Sequence, residues 1–463
     1  MPEDPTPGRT ARRSGSKSLE IRAYEERRAR LIQSIQSRAG GDIRLQKETS
    51  NLFREREAQR PGIDVSPFQH VLSVDAESGV IDTEGMVTYE KLADAALTHG
   101  LMPAVVPQLK SITIGGAVGG IGIESSSFRY GLPHETVLEM EVLLGSGEVV
   151  CCSPQNEHRD LFYGLANSYG TLGYILRLKI QGIPTKPFVR LTHIRCQDAN
   201  NFFDRLALAC GEAHDFVDGV VFSPSEHYLV LGEFCDEAPY TSDYTYLNIF
   251  YQSIRARSED YLTVRDYLWR WDTDWFWCSK NLYVQNAPMR RLLGPGRLNS
   301  ITYQKVMRWN TRVGLTRAIN RLTGIHRESV IQDVDIPIEN AAAFLAFFQE
   351  KIGIRPVWIC PTRHTPDRGD YPLFPMRANA LYINFGFWDG VRTREKFPKG
   401  HFNRLIEEEV TRLGGIKSLY SDSFYEREEF EAIYGGEIYH DLKRRYDADG
   451  HLKSLYEKCV LHQ

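Results

Sequence analysis

The feature that most constrains this chain is a glycine-dense stretch, SITIGGAVGGIGIESSSFRYGLPHETV, at residues 111–137. Five glycines fall within eight residues, at Gly115, Gly116, Gly119, Gly120 and Gly122. Glycines remove Cβ atoms, so backbone amides can approach a flat or anionic group, and the hydroxyls of Ser111 and Thr113 can add donors. A tight turn between two sheets is the alternative interpretation. The density of glycines favours a loop that holds a ligand.

Neither of the two commonest phosphate-binding motifs fits the stretch. A Walker A loop needs Gly-Lys-Ser/Thr, and here Gly122 is followed by Ile123 and Glu124, so ATP hydrolysis has no support. A Rossmann loop needs a strand before it and an amphipathic helix after it. A strand is predicted at LMPAVVP (101–107), but the polar residues ESSSFRYG (124–131) stand where the helix should begin. The stretch therefore predicts a glycine loop of another type.

Composition narrows the class of protein. The 463 residues suggest two domains, and 42% hydrophobic and 25% charged residues are typical of a globular protein. A net charge of −4 argues against nucleic acid as the partner. The eight cysteines have no zinc-site spacing, so we predict free thiols and no bound metal. No apolar run approaches the roughly 18 residues that span a bilayer. We therefore expect a cytoplasmic protein, with peripheral membrane association left open.

The first 60 residues are rich in charge, with 14 Lys/Arg against 9 Asp/Glu. Residues 1–18 are predicted to be disordered, and a polar helix is predicted from residue 19 to residue 38. The basic cluster of Arg27, Arg28 and Arg30 is interpreted as a solvated helix face, with a membrane anchor as the alternative.

Strand and helix patterns place ordered elements on both sides of the glycine stretch. We predict hairpins at 71–85 and 137–153, a helix at 88–100 capped by Thr88, and a buried strand within 169–184. From about residue 188, strand–helix–hairpin units predict an α+β domain with an antiparallel sheet.

An aromatic segment, residues 266–283, lies between the two halves of this predicted domain. Six of the eleven residues from Tyr267 to Trp277 are aromatic. The segment is interpreted as a helical insertion packed on the sheet, as the wall of an apolar substrate site, or as a membrane-facing patch.

The sequence around the glycines resembles a known family. LKSITIGGAVGGIGIESSSFRYGLPHETVLEMEVLLGSGEVV (109–150) resembles the FAD-binding segment of the PCMH-type, vanillyl-alcohol-oxidase-like flavoproteins. Within that superfamily the chain resembles the delta-24 sterol reductase family, through VVPQL and the glycine stretch. Further resemblance lies in SPQNEHRDLFYGLANSYGTLGYILRLKI, VIQDVDIPIE, RPVWICP, LYINFG and LYSDSFYEREEFEAIYGGEIYHDLKRRY. The resemblance covers about residues 43–460.

The resemblance implies a domain organisation. It places a two-part PCMH-type FAD-binding domain at 41–187, after a polar tail and helix at 1–40. An α+β cap domain with a mainly antiparallel sheet follows at 188–410, with the aromatic helical insertion at about 250–325. Residues 411–463 are expected to complete the active site.

The resemblance also implies which residues hold FAD. The glycine stretch would wrap the cofactor, KETSNLF (47–53) would form a first pyrophosphate loop, and YGTLG (169–173) would close on it. His134 is either a donor to the flavin or a satisfied core histidine. The implied contacts are Thr49, Ser50, Asn51, Thr113, Ile114, Gly115, Gly116, Ala117, Val118, Gly119, Gly120, Ile121, Gly122, Ile123, Glu124, Ser125, His134, Gly170, Thr171 and Gly173. Because KETSNLF contains neither His nor Cys, we predict non-covalent FAD.

The activity implied by the resemblance is reduction of a C=C bond in a sterol or isoprenoid-like hydrophobic substrate, with NADPH as the electron donor. A flavin exchanges a hydride through N5, and the protein must supply the proton from an acid in a dry pocket, a contribution of about 10²–10⁴ in rate. The candidates for catalysis are Asp333, Gln332, Tyr425 and Glu124. Asp333 and Asp335 share one face of a predicted strand, where an apolar pocket would raise the pKa of a carboxyl. Salt bridges to nearby arginines are the alternative role for these acids.

Two other functions stay open at this point. The first is an FAD-dependent dehydrogenase or oxidase acting on an alcohol or sugar carbon. The second is a lipid-binding or scaffold protein without catalysis, against which the intact glycine stretch argues. The oligomeric state is not predicted.

Overall fold

The computed structural model describes residues 8–36, 44–46, 53–54, 62–313 and 324–463. Within these residues the strands form two large antiparallel sheets and one short parallel pair, and helices cover the sheets. The fold is therefore α+β with mainly antiparallel pairing, which confirms the predicted class.

The first sheet is formed by strands that lie before and after the glycine stretch in the chain. The strands of this half are β1 (Leu45–Gln46), β2 (Ile63–Asp64), β3 (Val71–Val74), β4 (Val80–Glu84), β5 (Leu101–Pro103), β6 (Val137–Leu143), β7 (Val149–Cys152) and β8 (Tyr174–Pro184). β1 and β2 form the parallel pair, and the sheet order is β3–β4–β8–β6–β7, with β5 also pairing with β8. The predicted hairpins, now β3–β4 and β6–β7, are confirmed, as is the buried strand β8.

Five helices belong to this half: α1 (Gly8–Gln36), α2 (Tyr89–Leu97), α3 (Ile114–Gly120), α4 (Ser127–Tyr130) and α5 (Arg159–Gly164). The cap predicted for α2 is present, since the Lys91 amide donates to the Thr88 side chain. Gly100 follows with a φ of +70°, in the left-handed region that favours glycine.

Helix α1 corrects two expectations about the N-terminal region. Residues 8–18 are helical rather than disordered, because α1 is one continuous helix that begins at Gly8, and residues 1–7 lie outside the described residues. Arg27 pairs with buried Glu84 at 2.5 Å, and Arg28 pairs with Glu141 at 2.6 Å. These two arginines therefore bind carboxylates of the first sheet and form neither a solvated face nor a membrane anchor, whereas Arg30 is exposed, as predicted for a solvated face.

The second sheet is larger and contains eight strands. Its members are β9 (Phe188–Cys196), β10 (Phe216–Ser223), β11 (Glu226–Cys235), β12 (Glu259–Thr263), β13 (His326–Pro337), β14 (Val357–Arg363), β15 (Leu381–Thr393) and β16 (Ile416–Lys417). They run in the order β12–β9–β11–β10–β14–β15–β13–β16. The change from the first sheet to the second falls between β8 and β9. The domain boundaries implied by the resemblance stay predictions.

Ten further α-helices in the described part of the chain accompany the second sheet. They are α6 (Ala199–Ala209), α7 (Phe250–Ala256), α8 (Val264–Leu268), α9 (Ala287–Leu293), α10 (Ser300–Val313), α11 (Ile338–Lys351), α12 (His401–Arg412), α13 (Arg427–Ile433), α14 (Gly436–Tyr446) and α15 (Leu455–Cys459). Helices α6, α11 and α12 pack their apolar side chains against one face of the sheet and form a separate core there. In the described part of the chain, no helix has both the length and the apolar composition needed to cross a membrane.

The alternation of side chains along β13 decides which residues face the first sheet. Val330, Val334 and Ile336 point into the core beneath the helices, whereas Ile331 packs on the opposite side with the core shared by both sheets. Because successive side chains of a strand point to opposite faces, Asp333 lies on the face of Ile331 and Gln332 on the face of Val334.

The aromatic segment between the halves is buried. Trp271 and Trp277 are 1% and 0% exposed, and Trp275 and Phe276 are 3% and 7% exposed. Phe276 packs on Trp388 of β15 with ring centroids 4.2 Å apart. The interpretation as a membrane-facing patch is therefore wrong for these rings, and packing on the sheet is confirmed.

Candidate active site

A cavity of about 830 Å³ lies between the two sheets. This size falls within the usual range of about 300–1,000 Å³ for ligand sites. One side of the cavity is formed by residues 113–123, which we name the glycine wall. The opposite side, the aromatic wall, consists of Trp275, Phe276, Trp358 and Trp388, together with Asp333 and Tyr420.

The glycine wall is helical where the sequence predicted a loop. Thr113 caps α3, because its hydroxyl accepts a hydrogen bond from the Gly116 amide at 3.3 Å. A Cβ on Gly115 would lie 2.8 Å from the Gly85 carbonyl oxygen, so glycine is needed for α3 to pack on the first sheet. Each glycine disfavours a helix by about 1 kcal/mol relative to alanine. Tertiary packing overrides that preference here, which is why the expected loop is wrong for residues 114–120.

One glycine of this helix opens onto the cavity. Gly119 is buried and lines the cavity, yet a Cβ added to it would meet no atom within 4 Å. A side chain larger than hydrogen would therefore project into the space that a ligand needs. Next to it, the Tyr169 hydroxyl donates to the Gly120 carbonyl at 2.7 Å and closes this side of the cavity.

Polar groups with unfilled hydrogen-bonding capacity also line the cavity. Both amide atoms of Gln108, which is 4% exposed, and the hydroxyl of Ser418 are buried without a partner among the described residues. Buried polar groups are nearly always hydrogen-bonded, so these atoms indicate a polar ligand at this place. The open space at Gly119 and these orphaned groups together fit FAD.

Basic side chains also line the cavity. Arg44, Lys453 and Lys458 are part of its lining, and the Lys458 ammonium lies 5.7 Å from the ring centroid of Tyr174. Positive charge there suits an anionic group such as a diphosphate.

Eleven of the cofactor contacts implied by the resemblance lie at the cavity. They are Thr113, Gly115, Gly116, Ala117, Gly119, Gly120, Ile121, Gly122, Ile123, Gly170 and Gly173. The side chains of Ile114 and Val118 are buried in the core, and the Thr171 hydroxyl donates to the Ser168 carbonyl. Thr49, Ser50 and Asn51 lie outside the described residues.

His134 lies at a different, smaller pocket of about 210 Å³. The residue is 3% exposed, and its ring contacts Tyr371 at a centroid distance of 4.3 Å. Burial lowers the pKa of His134 to about 4, so the imidazole is neutral at ordinary pH. His134 is therefore a buried histidine away from the large cavity, and its Nδ1 atom has no hydrogen-bond partner among the described residues.

Asp333 is the one Asp or Glu side chain among the described residues that line the cavity. It pairs across the sheet with Gly386, which in turn pairs with Trp358, so the missing side chain of Gly386 leaves room beside the carboxyl. Burial raises the pKa of Asp333 to about 7, against a hydrogen bond from Tyr420 that lowers it, and the charge of Asp335 raises it further. The Oδ1 atom of Asp333 has no described partner.

Tyr420 is itself held in place. The Trp388 indole donates from Nε1 to the Tyr420 hydroxyl at 3.0 Å. The indole, the phenol and the Asp333 carboxyl therefore form one hydrogen-bonded series at the aromatic wall. Such a series orients the carboxyl with respect to the cavity.

The other candidates for catalysis lie away from the cavity. Gln332 donates to the Asn403 side chain of α12 at 2.6 Å, on the far face of the sheet. Tyr425 packs against Tyr434 with centroids 5.9 Å apart. Glu124 is buried behind the glycine wall and pairs with Arg270 at 3.2 Å.

Arg270 links the two sides of the cavity. It pairs with Glu124, which follows the glycine wall, and with Asp218 of β10 at 3.1 Å. Asp218 also accepts a hydrogen bond from the Trp358 indole at 3.1 Å. Burial raises the pKa of Asp218 to about 6, although Arg270 lowers it.

Several cavity residues were not predicted from the sequence, among them Trp358, Trp388, Gln108, Lys453 and Lys458. Trp358 lies within RPVWICP, and Trp388 lies two residues beyond LYINFG. Only the pairing of β13, β14 and β15 brings them close to Asp333. The aromatic segment did signal a wall of an apolar site, and Trp275 and Phe276 are the part of it that reaches the cavity.

Comparison with known proteins agrees with this geometry. Residues 32–153 match a family described as an FAD binding domain. The chain is 28% identical over 406 residues to the delta(24)-sterol reductase of Homo sapiens, a match that covers 84% of this chain and 75% of the relative. The delta(24)-sterol reductase of Arabidopsis thaliana is 26% identical over 434 residues, with 86% and 76% covered.

A shorter similarity links the chain to another flavoprotein. Cytokinin dehydrogenase 10 of Oryza sativa subsp. japonica is 31% identical over 157 residues, which cover 33% of this chain and 28% of the relative. The sterol reductases, in contrast, match far beyond the FAD binding domain. The chain is therefore an FAD-dependent oxidoreductase with a PCMH-type FAD-binding domain, similar over most of its length to the delta(24)-sterol reductases.

Proposed function

We propose that this enzyme adds hydrogen across a C=C bond of a sterol or isoprenoid-like hydrophobic substrate, with NADPH as the electron donor. The observation that carries the proposal is the aromatic wall around a single protonatable carboxyl, Asp333. An isolated alkene offers no group for strong hydrogen bonds, so an apolar wall and one proton donor are what its reduction requires.

The residues that would hold FAD are those of the glycine wall, with Tyr169, Gly170 and Gly173 beside it and Gln108 among the polar contacts. Non-covalent binding is part of the proposal. When bound, FAD supplies hydride exchange at N5. The side chains of the protein would have to supply the proton, exclude water and receive the substrate.

Asp333 would hold the proton. With a pKa raised to about 7, its carboxyl is protonated in a large fraction of molecules at neutral pH, whereas an ordinary aspartate is ionised. The Tyr420 hydroxyl and the Trp388 indole would keep the carboxyl in one orientation. Placement of a general acid of this kind contributes about 10²–10⁴ in rate.

The aromatic wall would exclude water and receive the substrate. Phe276 and Trp388 are 7% and 8% exposed and pack closely at one side of the cavity. Aromatic faces also attract positive charge, by about 0.5–2 kcal/mol, and protonation of an alkene places such charge on its more substituted carbon. The wall therefore suits both the substrate and the charge that develops on it.

One observation favours a second function, oxidation of an alcohol or sugar carbon. A carboxyl with a pKa of about 7 is also ionised in a large fraction of molecules, and the ionised form of Asp333 would accept a proton. The proposed reductase and this dehydrogenase share the same site and differ in the direction of hydride transfer.

Anaerobic mixing of the purified holoenzyme separates the two functions. Bleaching of the flavin by NADPH, followed by recovery of its colour on addition of a sterol with a side-chain alkene, is expected for the reductase. Bleaching by alcohols or sugars, with a slow response to NADPH, would instead establish the dehydrogenase. Yellow colour left in an acid-precipitated pellet would contradict non-covalent binding.

A cytoplasmic location is part of the same proposal. Peripheral membrane contact is also part of it, because the proposed substrate is lipid-like. Arg27 and Arg28 pair with the first sheet, and Trp271 and Trp277 are buried. Contact with a membrane would therefore need a surface other than these arginines and tryptophans.

A further inference from the structure

The charge of the chain is strongly uneven around the aromatic insertion. Residues 275–327 contain ten Lys/Arg and no Asp or Glu, in a chain whose net charge is −4. Lys280, Arg290 and Arg327 pair with Asp389 or Asp274 outside the segment, and the segment itself has no carboxylate for the others. A block of one sign on a chain of the opposite sign is typical of a segment that meets a charged partner.

Exposed apolar side chains are concentrated in the same segment. Of fifteen large apolar side chains that are exposed in the described part of the chain, seven lie within residues 283–313. Tyr283 and Leu292 are 80% and 76% exposed, the highest values of the fifteen. Exposed apolar groups clustered in this way mark an interaction site.

Helix α10 shows how these side chains are arranged. One face is anchored on the protein, because the Ser300 hydroxyl donates to Asp272 at 2.6 Å and the Tyr303 hydroxyl donates to the Thr273 carbonyl at 2.8 Å. Residues spaced by four lie on one ridge of a helix, and the outward ridge of α10 reads Ile301, Lys305, Trp309 and Val313. All four side chains are exposed, and Val306 beside them is 42% exposed.

We propose that the outward ridge of α10, which carries Lys305, docks on the surface of an anionic lipid bilayer. Aliphatic and tryptophan side chains enter the interface between headgroups and acyl chains, while Lys and Arg are attracted to anionic lipids. A nucleic acid would use the cations but not the exposed Ile301 and Val313. The absence of acidic residues from 275–327 favours a uniformly anionic surface over a protein partner, whose surface carries both signs.

The position of α10 gives the docking surface a role. Its two anchors, Asp272 and Thr273, lie close in the chain to Trp275 and Phe276, which line the cavity. A bilayer in contact with α10 would be near the aromatic wall, so an apolar substrate could enter from lipid. The surface itself does not depend on which reaction the enzyme performs.

Flotation of the holoenzyme with lipid vesicles tests the proposal. We expect binding to phosphatidylcholine vesicles that contain phosphatidylserine, weak binding to phosphatidylcholine alone, and release by salt. The double substitution Trp309→Ser and Val313→Ser, and separately Lys305→Glu, should each lower the partition coefficient by about fivefold or more. Leu208→Ser on α6 and Lys396→Glu are the matched exposed controls, and they should bind like the wild type.

Two results would overturn the proposal. One is failure of the wild-type holoenzyme to float with phosphatidylserine vesicles. The other is a dimer of the wild type in lipid-free solution that the Trp309/Val313 variant dissociates, because the ridge would then join two copies of this chain. Flavin absorbance checks that each variant is folded. Alkene reduction in detergent should be unchanged in the variants, so loss of docking and failure of the proposed reaction are distinguishable.

Discussion

The glycine wall comes from one contiguous stretch, residues 113–123, whereas the aromatic wall is assembled from five separate places in the chain. The first is shaped by side chains that are missing, as at Gly119, where a Cβ would point into open space. The second is shaped by large side chains, such as Trp388 and Phe276, that pack on one another. A backbone surface suits a cofactor of constant shape, and a side-chain surface can be varied to suit a substrate.

The largest expected effect concerns the glycine wall. Gly119→Leu should abolish FAD binding while the fold is kept, because the added side chain enters the cavity and a helix tolerates leucine better than glycine. The ratio of flavin to protein absorbance and far-ultraviolet circular dichroism measure the two properties. Gly296→Leu is the control, since a Cβ there also meets nothing within 4 Å but the residue is exposed. Full flavin content in Gly119→Leu would refute the assignment of this wall to FAD.

The next effect concerns the aromatic wall alone. Asp333→Asn should lower the rate of alkene reduction by about 10²–10⁴ without loss of FAD, because the amide cannot supply the proton. Asp335→Asn is the matched control, since Asp335 shares the strand face and a pKa of about 7 but bonds to Thr362 and Asn384 away from the cavity. Equal rates in the wild type and Asp333→Asn would remove Asp333 as the acid.

The same substitution has a consequence for stability. A carboxyl whose pKa is raised to about 7 in the folded state stabilises that state below about pH 4, and this contribution is lost as the pH rises through 7. The free energy of unfolding of the Asp333→Asn apoprotein, measured with urea, should therefore decrease less between pH 4 and pH 8 than that of the wild-type apoprotein. An identical pH dependence would contradict the raised pKa.

A further prediction concerns the link between the walls. Arg270→Gln should lower the free energy of unfolding by about 3–5 kcal/mol, because Glu124 and Asp218 would be left as buried carboxylates without a counter-ion. Arg265→Gln, which breaks an exposed pair with Asp94, should cost about 1 kcal/mol or less. Urea denaturation monitored by tryptophan fluorescence measures both, and similar losses in the two variants would contradict a buried link.

The smallest effect is a shift in pH dependence. If protonated Asp333 is the active form, kcat/KM should fall as the pH rises through about 7. The Tyr420 hydrogen bond lowers the pKa of Asp333, so Tyr420→Phe should move this fall to higher pH. Tyr425→Phe, at a buried tyrosine away from the cavity, should leave the profile in place. A shift to lower pH in Tyr420→Phe would reverse the proposed role of the hydroxyl.

Local patterns predicted much of the fold and misplaced part of the site. The hairpins and the cap at Thr88 depend on neighbours in sequence, and they were predictable for that reason. Helix α3 was not, because its glycines are tolerated only through packing such as that of Gly115 on Gly85. Gln332 and Asp333 were equal candidates in the sequence, and the pleat of β13 put them on opposite faces.

The sequence alone determined that this chain has an FAD-binding domain, because the glycine wall is one contiguous segment and its motif can be recognised directly in the sequence. Only the tertiary structure decided which carboxyl faces the cavity, which tryptophans surround it, and that Arg27 and Arg28 belong to the first sheet. The physical reason is that the pKa of Asp333 is raised by burial. Burial depends on residues that the fold brings together from distant parts of the chain.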